Sequence, residues 1–126
     1  MNSLLKLRTT IDWEQIDIGI LPAVEILRKN GIDTFESCEG GEGHSFPEPT
    51  VRFWGNEIDC IRAYDICQYY RLNVSCTRKV FEKEAIDPYR KGEYIDLYPN
   101  GFIWSKPFNE IVFCRNVRTG TIFLPD

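Results

Sequence analysis

The sequence predicts an α+β fold, with two helices packed on a mostly antiparallel sheet of about five or six strands, in one domain spanning residues 1–126. Three observations carry this reading. A chain of 126 residues fits one domain, since single domains commonly run ~100–150 residues. A hydrophobic share of 43% with 27% charged residues is the ordinary globular mix and excludes a disordered or fibrous chain. Two stretches with helical periodicity are interleaved with short alternating stretches, each bounded by Gly, Pro or Asn.

The first helix is expected to end at Gly31. Pro22 suits its first turn, where a missing N–H is harmless. Ala23, Val24, Ile26 and Leu27 follow at helical spacing, Arg28 and Lys29 favour the negative end, and Gly31 supplies a left-handed stop. Trp13 to Ile18 carries no clear period, because Gly19 and Pro22 interrupt it. Thr34 to Cys38 alternates as a strand does, and Thr50 to Trp54 forms a second strand after Pro47 and Pro49 stiffen its approach. Asn56 is placed to cap a second helix, in which Cys60, Ala63, Tyr64 and Cys67 form one buried stripe.

The remainder reads as β-structure. Leu72, Val74 and Cys76 alternate with polar neighbours, and Tyr94–Tyr98 and Phe102–Trp104 flank the turn Pro99-Asn100-Gly101. Ile111 to Cys114 is a short apolar strand, and Thr121 to Leu124 is expected to close a final hairpin. The aromatic pairs Tyr69/Tyr70 and Phe102/Trp104 are expected to be core or to cover the sheet, since aromatic side chains bury large areas.

Charge is distributed unevenly. Residues 1–70 hold 6 Lys/Arg against 12 Asp/Glu, whereas residues 71–126 hold 9 against 7. An acidic front half argues against non-specific nucleic-acid binding, which depends on cations neutralising phosphates. No apolar run approaches the ~18 residues of a membrane span, and the opening residues lack the apolar core of a secretory signal. A cytoplasmic protein is therefore expected. Five cysteines in that setting read as reduced thiols.

One segment concentrates the chemistry. From Glu36 to Phe46 the chain carries its single histidine, His44, three carboxylates, Ser37, Cys38, and the glycines Gly40, Gly41 and Gly43. A connection so loaded, between two strands anchored by a helix, is where function is commonly placed. Cys38 and His44, with Glu39, are the candidates for nucleophilic chemistry if the loop folds back. The three glutamates work against a thiolate, and no Asn or Asp can be assigned from the sequence to orient the imidazole. A closed structural zinc site on Cys38 and His44 with Glu36, Glu39 or Glu42 is not expected, because no C-x₂-C pair exists, while a divalent ion shared between these carboxylates and a ligand's oxygens stays open. No cofactor is expected.

Ligand capture is the favoured reading. Glycines let backbone N–H groups approach a ligand, and the pattern is neither a Walker loop nor a dinucleotide fingerprint. Glu36, Glu39 and the neighbouring acids suit sugar hydroxyls, while Arg52 on the next strand suits a phosphate. Phe46, Phe53 and Trp54 offer stacking surfaces. If Val51 and Phe53 point inward, Arg52 and Trp54 share the other face. A nucleotide-like anionic small molecule satisfies all of these groups.

The run Thr34-Phe35-Glu36-Ser37-Cys38-Glu39-Gly40-Gly41, then Gly43-His44, then Phe46-Pro47-Glu48-Pro49-Thr50-Val51-Arg52-Phe53 resembles a signature of short uncharacterised proteins of bacteriophages and bacterial genomes. That resemblance implies a phage or prophage context, a host-cytoplasmic location and a shared site, without a reaction. Ser37, Cys38 and Gly40 are also similar to the Ser-Cys-x-Gly loop of the wybutosine-synthesis tRNA methyltransferase family, which implies a polar loop beside a nucleotide-sized pocket. The expected function is then a small-molecule-binding protein, such as a phage sponge that sequesters a nucleotide signal from host defence. The alternatives are a hydrolase or transferase using Cys38, His44 and a glutamate, and a protein–protein inhibitor of a host factor. A homo-oligomer would enclose more pocket surface.

Overall fold

The computed structural model describes residues 7–85, 102–104 and 106–125. It is an α+β fold. Two helices, α1 (Leu21–Lys29) and α2 (Glu57–Tyr69), accompany the strands β1 (Asp33–Cys38), β2 (Thr50–Trp54), β3 (Val74–Val80), β4 (Lys83–Ala85), β5 (Phe102–Trp104) and β6 (Phe108–Phe113). The strands do not form one sheet of five or six. Four make an antiparallel sheet in the order β1-β2-β6-β3, and β4 and β5 pair separately. No helix among the described residues is long and apolar enough to cross a membrane.

Both helices form where local chemistry favours them. Pro22 lies in the first turn of α1, Arg28 and Lys29 occupy its last turn, and Gly31 adopts φ +84° beyond it. Asn56 caps α2 in a reciprocal capping box: its side chain accepts from the Asp59 N–H at 3.1 Å, and the Asp59 carboxylate accepts from the Asn56 N–H at 3.0 Å. The segment Trp13–Gln15 is a 3-10 turn capped by Asp12.

The helices cover one sheet face. Val51 and Phe53 of β2 and Ile111 and Phe113 of β6 are fully buried there with Val24, Leu27, Ala63 and Cys67. Of the stripe expected on α2, Ala63 and Cys67 are in the core, Cys60 packs at its margin, and Tyr64 points outward at 44% exposure. Tyr69 is 80% exposed and stacks edge-on against Tyr70, so it covers no sheet. The helix buries a narrower stripe than its aromatic content suggested. Of the expected final hairpin the turn forms, with Asn116 donating to Thr121 O at 2.7 Å, but residues 121–124 do not pair with the preceding strand. Residues 121–124 run beside Arg71–Asn73 instead, with Asn73 donating to Ile122 O at 2.7 Å and Leu124 donating to Arg71 O at 2.8 Å, which sinks Ile122 against Leu72 in the core. Tyr94–Tyr98 and Pro99-Asn100-Gly101 lie outside the described residues, as do the side chains of Phe102 and Trp104.

Burial pushes the Cys67 thiol up from its ordinary 9.0 to about 12. The unfolded chain then loses this proton at a lower pH than the folded chain. The stability associated with the neutral thiol is present below pH 9 and is lost as pH rises from 9 toward 12, at up to ~1.4 kcal/mol per pH unit. Denaturant titrations across this window are expected to show a shallower alkaline loss in Cys67→Ala than in the parent chain.

Candidate functional site

The connection from β1 to β2 closes on itself. Gly41 donates its N–H to Pro47 O at 3.0 Å, and His44 donates its N–H to Gly41 O at 3.2 Å. Gly40, at φ +77°, lies so close to the returning chain that a Cβ there would sit 2.4 Å from the carbonyl carbon of Glu48. Only glycine permits both the conformation and the approach. Gly43 also has positive φ but faces open space.

This closure carries His44 back toward Cys38. The carboxylate that joins them is Asp17, from the turn ahead of α1. Its Oδ2 lies 3.6 Å from His44 Nδ1 and accepts the Glu39 N–H at 3.1 Å. Asp17, Cys38 and His44 each direct a donor atom to one point, all within 4.8 Å of one another. Gly40 donates its N–H toward Cys38 Sγ at 3.4 Å. Arg115, from the far end of the chain, donates to Glu39 O. The Asp17 and His44 side chains are about one-third exposed, at 34% and 36%, while Cys38 is buried. Glu39, expected beside the thiol and imidazole, instead lays its side chain over Gly19. Aspartate therefore takes the position beside the imidazole.

The other predicted residues gather on the sheet face opposite the helices. Arg52 donates to Glu36 at 2.9 Å and to Glu110 at 3.3 Å, and lies 3.9 Å from Glu82. Glu110, nearly buried, also binds Arg78 at 2.7 Å, and this charge-assisted bond raises the Arg78 pKa. Phe46 from the loop and Phe108 from β6 lie against the Arg52 guanidinium at 4.4 and 4.8 Å. Trp54 shares this face, as expected, and stacks on Phe35 at 4.2 Å. Phe35 reaches it because the β1–β2 register shifts between Thr34 and Glu36, a bulge that redirects one side chain. Phe53, offered as a stacking surface, is wholly in the core on the other side.

Ser37 meets a third environment, which Glu36 also borders while Arg52 holds its carboxylate on the other sheet face. It is a cavity of about 290 Å³ along the β1 edge, with Ile11 and Ile16 as apolar wall. Arg28 donates to Thr34 O and Thr9 O, both at 2.6 Å, and so ties the N-terminal segment to β1. Thr10, Ile11, Asp12, Gln15 and Ile16 form the cavity's second wall.

The structure thus brings Cys38 and His44 together and joins Glu36, Phe46 and Arg52 in a separate cluster. Asp17, Asp12 and Gln15 were missed by sequence reasoning. Asp17 precedes His44 by 27 positions, and no local pattern connects them; the one available signal was a carboxylate just ahead of the interrupted stretch from Gly19 to Pro22. No protein-family model, curated protein or solved structure matches this chain.

Proposed function

We propose that this chain is a small-molecule-binding protein that captures one nucleotide-like ligand in the groove between residues 10–16 and β1. The observation carrying this reading is the groove's lining. Asp12 accepts hydrogen bonds from ribose hydroxyls or exocyclic amines, Gln15 and Ser37 both donate and accept, and Ile11 and Ile16 supply apolar contact for a base. Its volume of about 290 Å³ lies just below the ~300–1,000 Å³ typical of ligand pockets, which suits a ligand no larger than a single nucleoside unit. Arg52 is already engaged by carboxylates, so the groove is assigned to the nucleoside part of the ligand. A phage sponge that removes a nucleotide signal is one biological use of such capture.

Native mass spectrometry after incubation with an extract of infected host cells tests the reading. One small molecule per chain is expected, released intact on denaturation. Ser37→Phe, which fills the groove, is expected to reduce its retention at least tenfold. Failure of the parent chain to retain any small molecule overturns the proposal.

The convergence of Asp17, His44 and Cys38 favours a second reading. It supplies the orienting carboxylate that a cysteine nucleophile with a histidine base requires. In that case the bound molecule is recovered chemically changed under turnover conditions, and Cys38→Ala abolishes the change while leaving retention in place.

A further inference from the structure

We infer that Asp17, Cys38 and His44 form a three-ligand site for a zinc-type divalent cation, with a fourth position left to an oxygen from outside the chain. This goes beyond the groove reading and stands without it.

The donor set points to the metal class. One thiol sulfur, one imidazole nitrogen and one carboxylate oxygen are the ligands that zinc and its borderline-soft neighbours accept together, whereas magnesium and calcium favour oxygen alone. Among the described residues this is the one group of three or more His, Cys, Asp or Glu side chains whose donor atoms converge within 4.8 Å.

The spacing fits. Metal–ligand bonds of about 2.0–2.3 Å place tetrahedral donors roughly 3.3–3.7 Å apart. Asp17 Oδ2 and His44 Nδ1 already stand 3.6 Å apart. The widest separation in the group needs to close by only about 1 Å to reach that range, a movement within reach of side-chain rotation.

The surroundings hold the donors in place. The Glu39 N–H fixes Asp17 Oδ2, and the Gly40 N–H points at Cys38 Sγ, which are the backbone contacts that orient metal ligands. Arg115 fastens the same turn through the Glu39 carbonyl. Cys38 forms the buried floor, while the one-third exposure of Asp17 and His44 provides an entry path. Binding displaces one proton from the thiol, so metal uptake and proton release go together.

Cobalt(II) is the probe for the test, added to untagged full-length chain after treatment with chelator and dialysis. One equivalent is expected to bind with intense tetrahedral visible bands and a near-ultraviolet thiolate-to-cobalt band, both removed by added zinc. Cys38→Ser is expected to lose the thiolate band, and His44→Ala and Asp17→Asn to weaken cobalt binding at least tenfold. Cys114→Ser, at an exposed thiol outside the site, is expected to keep the full spectrum. His44 lies on an exposed loop, so its variant reports on the site even if a Cys38 variant folds poorly; circular dichroism confirms the fold of each. Absence of a thiolate band in the parent chain, its persistence in Cys38→Ser, or unchanged affinity in His44→Ala overturns the inference. Nucleotide retention measured in excess chelator reports on the groove separately, so each reading fails on its own result.

Discussion

Replacing Gly40 with alanine is expected to destabilise the chain by about 3 kcal/mol or more and to lower the melting temperature by roughly 10 °C. Two costs combine. A non-glycine residue at φ +77° is strained by ~1–2 kcal/mol. The added methyl would also meet the backbone of Glu48 and Pro49 at 2.4–2.6 Å, a contact that no side-chain rotation relieves. Gly43→Ala is the control, because Gly43 has a similar φ of +83° with nothing within 4 Å. It carries only the conformational cost, so a loss of about 1 kcal/mol is expected there. Thermal unfolding of both variants separates the two contributions; equal effects at the two positions would refute the close approach as the reason for Gly40. The same substitution pries open the base of the loop, so Gly40→Ala is also expected to lose the convergence of His44 with Cys38.

Arg52→Ala is expected to cost about 2–3 kcal/mol of stability without altering groove affinity in the fraction that remains folded. Removing one partner of a buried ion pair costs ~3–5 kcal/mol because the other charge is left uncompensated. Here Glu110 retains Arg78, and Glu36 and Glu82 are about half exposed, which lowers the figure. Arg52→Lys is expected to recover only part of the loss, since an ammonium cannot serve Glu36 and Glu110 as a planar fork does. A double-mutant cycle with Glu110→Gln, followed by denaturant unfolding, is expected to show coupling above ~1 kcal/mol. The sequence reading, in which Arg52 holds a ligand's phosphate, gives the opposite pattern of unchanged stability with lost retention. The two measurements together decide between an ion network and an anion site.

Electrostatics explains why that arginine is easily misread. On β2 it alternates with Val51 and Phe53, and nothing within the strand says what covers its face. Glu110, which lies 58 positions away, becomes its neighbour only through the β2–β6 register of Arg52 with Glu110. The bulge that moves Phe35 onto Trp54 is likewise invisible to an alternating pattern, because one extra residue reverses the faces that follow.

The sequence by itself determined the elements whose causes are local. The Asn56–Asp59 box starts α2, Gly31 follows the end of α1, and β2 runs from Thr50 to Trp54, because capping, glycine conformation and alternation act between residues a few positions apart. It also marked residues 36–46 as the chemically loaded connection. Only the tertiary structure decided that Asp17, rather than a neighbouring glutamate, faces His44 and Cys38, and that the groove lies along the β1 edge. Those contacts depend on loop closure at Gly40 and on the docking of the N-terminal segment through Arg28. Both are packing events between residues far apart in the chain, for which no sequence spacing supplies the distance.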